Sequence, residues 1–398
     1  MPSIVNPNIR SMQCIRCNAS HPVHDYFEGC PCCLARGDPA SVAPRYTAFP
    51  PELTFETLGH WLCYPDVSGL GEGKTPLSTL PRVAAELGIR ELHSKNEFTN
   101  PTGSHKDRMA ALLVQRAQDI GVKTIAVASS GNAGASVAAY AARAGLGCVV
   151  ITTPDISPNW RNAIEMYGAE IIATENADDR WMLVAQHVQA GDWYPATNYT
   201  TPPVGSNPFG VDGYRAIAFE LYLQLCDAPP TDIVVPTARG DLLWGIAKGY
   251  CDLRDAGLLP SIPKIHAVEP YPRIEHALQG RGMVIRSYSG DTAMGSIGGN
   301  TVTHQTLTAL QQCGSSAVSV NDNDAFTDQR VLGREGLYLE LASIAPLCGL
   351  RELVKSGKVG ADSRVVLIST SHGYKETAKF TTPLIRNVAW AAEQTGTR

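Results

Sequence analysis

One lysine, Lys106, stands in a segment whose residue types and spacing suit covalent chemistry. The preceding residues Asn100–Gly103 place Asn-Pro before Thr-Gly, a pattern typical of a turn, and Ser104 is a candidate N-cap for a helix predicted over 106–120. An amine in the first helical turn faces the positive end of the helix dipole, and the dipole and burial both lower its pKa. Such an amine suits imine formation with a carbonyl compound. A surface lysine at a helix start is the alternative interpretation.

A second polar segment, Ala128–Ser136, follows a predicted strand and opens an alanine-rich helix. It combines the hydroxyls of Ser129 and Ser130 with the amide of Asn132. Together with the free backbone N–H groups of a helix N-terminus, these donors form an anion site that suits a carboxylate. An ordinary capped turn between strand and helix remains the alternative.

Two later segments also follow apolar runs. The segment Thr237–Asp241 contains Arg239, and its backbone N–H groups with that guanidinium could hold a phosphate. The segment Ser369–Lys375 offers a hydroxyl on a short turn. Taken singly, each of the two predicts no more than a turn.

The elements that must position these segments alternate along the chain. Apolar runs predict strands at Thr124–Ala128, Gly147–Thr153, Ala169–Thr174, Asp232–Pro236, Lys264–Glu269 and Arg364–Thr370. Helical periodicity predicts helices at Lys106–Ile120, Ala133–Ala144, Asn159–Tyr167, Arg180–Ala190, Gly213–Leu225, Leu242–Asp255 and Arg334–Val354. This alternation indicates parallel sheets covered by helices, and the total predicts two α/β lobes. Ligands bind beyond the carboxyl ends of such strands, which is where the polar segments lie.

Five of the eleven cysteines lie within the first 33 residues. Cys14, Cys17, Cys30 and Cys33 form the pattern Cys-x2-Cys-x12-Cys-x2-Cys, whose spacing suits tetrahedral zinc. Cys32 is a spare that could replace one of them. Four sulfur ligands leave no open coordination position, so the predicted role is structural, and free thiols are the alternative. The other six cysteines are scattered singly, as reduced buried thiols usually are.

Composition limits the remaining function classes. The chain has 398 residues, of which 44% are hydrophobic and 18% charged, which indicates a globular protein of two or more domains. A net charge of −5 argues against nucleic acid and anionic membranes as partners. No apolar run approaches the roughly 18 residues that span a bilayer, and the first residues carry no apolar signal core, so we expect a cytoplasmic protein. Four prolines in residues 38–53 predict a linker.

Taken together, the segments resemble the fold type II pyridoxal-phosphate enzymes, and most closely the threonine synthases. The resemblance extends from about Gly71 to about Glu376. The matching segments are Gly71–Leu77, Asn100–Arg108, Ala128–Asn132, Asn207–Glu220, Glu335–Ser343 and Thr370–Lys375. Each match alone is modest, but their order along the chain makes the resemblance specific.

The resemblance implies pyridoxal 5'-phosphate as the cofactor and assigns roles to individual residues. Lys106 matches the lysine that carries the cofactor covalently, Asn132 the asparagine that bonds its phenolate oxygen, and Thr370 the hydroxyl that faces its pyridine nitrogen. The residues matching the cradle of the cofactor phosphate are Thr237, Ala238, Arg239, Gly240 and Asp241. The residues matching the clamp for the substrate carboxylate are Ser129, Ser130, Gly131, Asn132 and Ala133.

The resemblance also implies the domain organisation. Residues 1–50 are expected to form a cysteine-rich segment like a zinc ribbon, with a linker. Residues 51–95 and 190–398 are expected to form the large cofactor-binding lobe, and residues 96–189 a small mobile lobe. The cofactor would lie in the cleft between the lobes. A homodimer is expected from the family.

Several residues depart from the family pattern. Ala238 and Arg239 stand in a cradle that is usually richer in glycine, and His105 precedes the lysine where the synthases commonly have Phe. Ala133 stands where Thr is frequent, and Leu341 where Pro is frequent. These departures leave the identity of the substrate more open than the use of the cofactor.

The expected activity is phosphate elimination from O-phosphohomoserine followed by water addition at Cβ. A small amino acid, possibly phosphorylated, is therefore the expected partner. The alternatives are β-replacement, as in cysteate synthase, and deamination of serine or threonine. A non-catalytic protein that uses the cysteine cluster for interactions is a third hypothesis, and the presence of Lys106, Asn132 and Thr370 argues against it.

Overall fold

Buried runs rich in Val and Ile form the central strands, and turns that contain glycine or polar residues end them. The protein is represented by a computed structural model, which describes residues 5–129, 131–176, 179–280, 292–299 and 301–376. The strands are β1 Ile9–Cys14, β2 Ser20–His21, β3 Val42–Tyr46, β4 Leu77–Thr79, β5 Glu91–Lys95, β6 Thr124–Ala128, β7 Gly147–Thr152, β8 Glu170–Ala173, β9 Tyr194–Pro195, β10 Asp232–Pro236, β11 Lys264–Glu269, β12 Ala317–Ser319 and β13 Arg364–Ile368. The helices are α1 Pro31–Leu34, α2 Pro81–Leu87, α3 Lys106–Asp119, α4 Asn132–Ala144, α5 Pro158–Met166, α6 Asp179–Gln189, α7 Pro208–Asp212, α8 Arg215–Gln224, α9 Asp241–Asp255, α10 Arg273–Leu278, α11 His304–Gln312, α12 Asp322–Arg334 and α13 Leu341–Lys355.

The larger sheet has six strands in the order β12-β11-β10-β13-β5-β4. All neighbours are parallel except β4, which runs antiparallel to β5. Strand β10 is buried along its whole length, as expected for a parallel strand covered by helices on both faces. Helix α13 packs against β10 and α9 against β11. This sheet therefore presents the carboxyl ends of β10 and β13, followed by Thr237 and Ser369, at one edge.

The smaller sheet has four parallel strands in the order β8-β7-β6-β9. Helix α4 packs closely on β6 and β7 because its sequence is rich in alanine and glycine. A Cβ added at Gly134 would lie 2.8 Å from the Ser129 carbonyl oxygen and 3.1 Å from Val150 Cγ1. The small residues thus bring the N-terminus of α4 directly against the end of β6.

The first residues form a three-stranded antiparallel sheet in the order β2-β1-β3. The expected linker at 38–53 was wrong in part, because Val42–Tyr46 is β3 and pairs with β1 along its length. Pro44 is tolerated because β3 is an edge strand. Tyr46 donates to Asp212 Oδ2 at 2.7 Å, so this sheet is fastened to the rest of the protein.

The predicted strands and helices are confirmed to within about two residues, with one exception. The single helix expected at Arg334–Val354 is wrong: α12 ends at Arg334 and α13 begins at Leu341. Gly336 between them has φ +84°, a left-handed conformation that ends helical geometry. Leu339 then forms an isolated bridge with His372 before α13 begins.

We propose that the lobes follow the six-stranded and the four-stranded sheet, with a boundary that differs near residue 189 from the expected 51–95 and 190–398 for the large lobe and 96–189 for the small one. Strand β9 belongs to the smaller sheet although it lies just beyond residue 189. The small lobe is therefore proposed to extend through β9. Within the part of the chain that the structure describes, no helix combines the length and apolar character needed to cross a membrane.

Candidate active site

The polar segments that follow β5, β6, β10 and β13 surround one cavity of about 560 Å³, called the cleft below. Every predicted cofactor or substrate residue that the structure describes lines it. These residues are Lys106, Ser129, Gly131, Asn132, Ala133, Thr237, Ala238, Arg239, Gly240, Asp241 and Thr370. Ser130 lies outside the described residues. The tertiary structure thus brings together segments that are separated by more than 250 residues in sequence.

Lys106 is the first residue of α3 and extends its amine towards Tyr214. Its Nζ donates to Tyr214 Oη at 3.3 Å, and the amine lies 5.6 Å from the centre of that ring. Removal from water lowers the pKa of Lys106, Asp241 acts in the opposite direction, and Arg239 lowers it further. A lowered pKa increases the fraction of neutral amine, which is the nucleophilic form.

The segment before Lys106 is held by Asp107 rather than by the expected N-cap. Ser104 bridges to Ser371 and is not the N-cap, because His105 occupies the position before α3. Asp107 accepts from Thr102 N at 2.6 Å and from Thr102 Oγ1 at 2.5 Å. It also accepts from Ser136 Oγ of α4 at 2.6 Å. One buried carboxylate therefore ties the segment around Lys106 to α4, the helix that begins at Asn132.

The amide of Asn132 is oriented by a charged group on each side. Its Nδ2 donates to Glu340 Oε2 at 3.0 Å, and its Oδ1 accepts from Lys375 Nζ at 2.8 Å and from Ser371 Oγ at 2.9 Å. Burial lowers the pKa of Lys375 to about 8, opposed by Glu340. An amide with two N–H groups keeps one of them for a ligand after bonding Glu340.

Thr370 presents a neutral hydroxyl at the carboxyl end of β13. Its Oγ1 lies 2.7 Å from Ser343 Oγ, which also accepts from Ser371 N at 2.8 Å. The backbone carbonyl of Thr370 accepts from His105 N at 2.9 Å. Burial, followed by the charge of Lys106, holds the pKa of His105 well below its usual range, so this imidazole adds no positive charge to the cleft.

The carbonyl groups of Thr237, Ala238 and Arg239 are all hydrogen-bonded within the protein. The carbonyls of Thr237 and Ala238 each accept from Arg273 Nη2 at 2.9 Å. The Arg239 carbonyl accepts from the hydroxyls of Thr303 and Thr306 at 2.7 and 2.8 Å. Within the described residues, the backbone N–H groups of 238–240 donate to no protein acceptor.

The chain matches the family described as Pyridoxal-phosphate dependent enzyme over residues 69–371. It is a pyridoxal-phosphate dependent enzyme. The threonine synthase of Methanocaldococcus jannaschii is 32% identical over 386 residues, which cover 92% of each chain. The threonine synthase of Methanosarcina acetivorans is 33% identical over 313 residues, covering 77% of this chain and 76% of that protein.

Solved structures share the fold. An L-serine ammonia-lyase from Rhizomucor miehei has a TM-score of 0.62 and 22% identity, covering 75% of this enzyme and 94% of that chain. The processed threonine deaminase isoform 2 of Solanum lycopersicum has a TM-score of 0.64 and 19% identity, covering 75% of this enzyme and 79% of that chain. These similarities support the fold type II architecture.

The cleft of this pyridoxal-phosphate enzyme fits its cofactor. The N–H groups of 238–240 suit a phosphate, since donors without a protein acceptor form an anion site. Gly240 has φ +85°, and a Cβ there would overlap Thr306, so the turn requires glycine. Lys106 would hold the cofactor covalently, Asn132 would donate its remaining N–H, and Thr370 would meet the ring with a neutral hydroxyl.

Several residues that line the cleft or contact its lining were not predicted as site residues. Tyr214, Glu340 and Lys375 each lie in a segment that matches the family. The sequence therefore pointed to these segments, but it did not show which side chains contact Lys106 and Asn132. Arg273, which holds the Thr237–Asp241 loop, lies in no matched segment. Arg273 follows β11, which pairs in parallel with β10, and this pairing brings it near Thr237.

The four predicted metal ligands of the enzyme lie together, away from the cleft. The Sγ atoms of Cys14, Cys17, Cys30 and Cys33 all fall within 4.8 Å of one another. Cys14 and Cys33 are separated by 3.6 Å, and Cys17 and Cys30 by 3.7 Å, between sulfur atoms. Cys32 is exposed and stands outside this set.

Proposed function

We propose that this enzyme is a threonine synthase, which eliminates phosphate from O-phosphohomoserine and adds water at Cβ. The observation that carries the proposal is the 32% identity to the Methanocaldococcus jannaschii threonine synthase over 92% of both chains. That match covers more of the chain than the family match, which extends only over residues 69–371. The arrangement of the cleft is in keeping with the proposal.

The proposed reaction divides its tasks among residues of this chain. Bound pyridoxal phosphate supplies an electron sink for chemistry at the α, β and γ carbons. Lys106 Nζ, with its lowered pKa, accepts and returns protons at those carbons. Ser129 and the N–H groups at the start of α4 bind the substrate carboxylate. Thr370 would offer the pyridine nitrogen a neutral hydroxyl and not a carboxylate. This would weaken electron withdrawal by the cofactor ring and favour elimination at the substrate side chain.

The test is phosphate release from O-phospho-L-homoserine and from O-phospho-L-serine, with the products identified by mass. Phosphate and threonine from phosphohomoserine support the proposal. Phosphate released only from phosphoserine, with sulfite incorporated, would instead indicate β-replacement. Ammonia and a keto acid from serine or threonine would indicate deamination. Lys106→Ala should abolish turnover and the borohydride-stable attachment of the cofactor, and a label retained on another lysine would overturn the assignment of Lys106.

We also propose that Cys14, Cys17, Cys30 and Cys33 hold a structural zinc ion. Four sulfur atoms within 4.8 Å of one another support this, since tetrahedral zinc sites of this ligand type are structural. The purified protein should contain one zinc per chain, and Cys30→Ser should lose it while Cys32→Ser retains it. Zinc retained in the Cys30→Ser variant would contradict this ligand set.

The proposed setting is the cytoplasm, with two chains per molecule. None of the eleven cysteines forms a disulfide, as expected in a reducing compartment. The homodimer rests on the family resemblance. Light scattering of the purified enzyme should give twice the mass of the chain, and the mass of one chain would contradict it.

A further inference from the structure

A second group of residues that can bind a metal lies beside the four cysteines proposed for zinc. The ligand atoms of His21, Cys30 and Cys32, called the outer triad below, all fall within 4.8 Å of one another. His21 Nε2 lies 3.2 Å from Cys30 Sγ. Cys30 thus belongs both to the outer triad and to the four-cysteine set. From the sequence alone, Cys32 is only a spare ligand and His21 has no predicted role.

Cys32 points to solvent because of its position in α1. This helix begins at Pro31, so Cys32 and Cys33 are successive helical residues and project about 100° apart. Cys33 is buried, as is Cys30, whereas Cys32 is exposed. His21 lies in β2, which pairs with β1, and it is half-buried. An ion can therefore reach the outer triad from solvent by way of Cys32.

The four-cysteine set, once it holds zinc, attracts a second cation. Four thiolates outnumber the charge of one zinc ion by two, so the occupied set is an anion. Arg36 Nη2 donates to Cys33 Sγ at 3.4 Å and offsets one of these charges. The Cys30 sulfur faces the imidazole of His21 instead, and an imidazole that binds a metal is neutral. A soft thiolate sulfur has lone pairs for two metal ions, so Cys30 is suited to act as a bridge.

We propose that His21, Cys30 and Cys32 bind a second thiophilic divalent cation, such as zinc, with Cys30 bridging the two ions. The proposal rests on the zinc already proposed for the four-cysteine set. One nitrogen and two sulfur ligands suit zinc and leave a fourth tetrahedral position for water. Cys32 binds as the thiolate and releases its proton to solvent. Three protein ligands, one of them shared, hold the second ion more weakly than the first. The purified protein therefore keeps one zinc, and the second ion binds when zinc is supplied in excess.

Counting the ions bound to full-length variants tests this site. Each protein is saturated with zinc, and native mass spectrometry gives the number of ions per chain. Cys32→Ser and His21→Phe each remove one ligand, and the phenyl ring preserves the ring contact of residue 21 with Tyr26. The matched controls are Cys226→Ser and His24→Phe. Cys226 is another exposed free cysteine, and His24 also contacts the Tyr26 ring.

The wild type and both controls should bind two zinc ions per chain, whereas Cys32→Ser and His21→Phe should each bind one. The ion that these two variants keep shows that the four-cysteine set remains folded. A single ion in the saturated wild type overturns this proposal and leaves the structural zinc standing, while no ion at all overturns both. Two ions in both ligand variants also overturn the proposal, because the second ion then lies elsewhere.

The shared sulfur atom of Cys30 has a spectroscopic signature of its own. Cadmium also binds thiolates, and two cadmium ions joined by one sulfur should give two NMR signals that are coupled to each other. Cys32→Ser should leave one signal without that coupling. Two uncoupled signals in the wild type would show that Cys30 is not a bridge and would overturn the shared site. A failed threonine synthase assay leaves these outcomes intact, because neither measurement uses catalysis.

Discussion

Two buried arginines in this enzyme, Arg108 and Arg273, differ in how completely the protein bonds them. Arg108 donates from Nε to Glu97 at 2.6 Å and from Nη1 to Glu220 at 2.7 Å. Its Nη2 donates to the same two carboxylates at 2.7 and 2.9 Å. Arg273 has one carboxylate partner, and its Nη1 has no partner within the described residues. Both arginines are buried, but every side-chain nitrogen of Arg108 has a hydrogen-bond partner, whereas Nη1 of Arg273 has none within the described residues.

The carboxylates beside the two arginines differ in the same way. Burial raises the pKa of Glu220, but Arg108 and Lys95 outweigh it and bring the pKa to about 2. Burial raises the pKa of Glu269 to about 7, because Arg273 offsets it only in part. We infer that the Arg108 cluster, defined as Lys95, Glu97, Arg108 and Glu220, serves stability. Arg273 instead holds the Thr237–Asp241 loop.

The largest expected effect comes from removing Arg108. Arg108→Met leaves Glu97 and Glu220 buried with too few partners, and breaking a buried pair in this way costs about 3–5 kcal/mol of unfolding free energy. Arg82→Met is the control, since Arg82 is 71% exposed in its pair with Glu335 and such pairs contribute about 0–1 kcal/mol. Denaturant unfolding of both variants measures the difference. Equal losses would contradict the role of the Arg108 cluster in stability.

A smaller loss is expected from Gly240→Ala, in the loop that Arg273 holds. The positive φ costs a non-glycine residue roughly 1–2 kcal/mol, and the added Cβ would also overlap Thr306. Gly257 also has a positive φ, but a Cβ there meets nothing within 4 Å. The stability loss of Gly257→Ala therefore measures the cost of the backbone conformation alone. Gly240→Ala should be less stable than Gly257→Ala and should alone bind pyridoxal phosphate more weakly. Unchanged affinity for pyridoxal phosphate would contradict the proposed role of the Thr237–Asp241 loop as the phosphate cradle.

Acid should weaken the Arg108 cluster through Glu220. The pKa of Glu220 is about 2 in the folded protein, against 4.5 ordinarily. Its contribution to the free energy of unfolding is therefore complete above about pH 4.5 and is lost as the pH falls towards 2. From pH 5 to 3 the unfolding free energy should fall by roughly 2 kcal/mol more in the wild type than in Glu220→Gln. Parallel pH profiles for the two proteins would show that Glu220 is not the titrating group.

The smallest effect on stability is expected from Tyr214→Phe. The variant removes the acceptor of the Lys106 amine, which disfavours the ammonium form and lowers the pKa of Lys106 further, while stability changes by about 1 kcal/mol. NMR titration of reductively methylated, cofactor-free protein measures that pKa. Tyr250→Phe is the control, because the Tyr250 hydroxyl is buried without a partner within the described residues. A raised Lys106 pKa would contradict the role given to Tyr214.

Sequence reasoning succeeded where the signal is local. Strands β6, β10 and β11 were predicted to the residue, because each is a short apolar run between polar turns. It failed where tertiary contacts outweigh local patterns. Proline-containing β3 is a strand because β1 pairs with it, and Gly336 divides a continuous helical pattern into two helices.

The amino-acid sequence by itself determined the cofactor family, the two α/β sheets and the segments that carry Lys106, Asn132 and Thr370, because motif spacing and apolar periodicity are local properties of a chain. Only the tertiary structure decided which distant groups meet them. Tyr214 at the Lys106 amine and Arg273 behind the Thr237–Asp241 loop are brought there by packing over 36 to 108 residues of separation. Whether a buried arginine is fully bonded or left with a free donor depends on such contacts, and no sequence spacing encodes them.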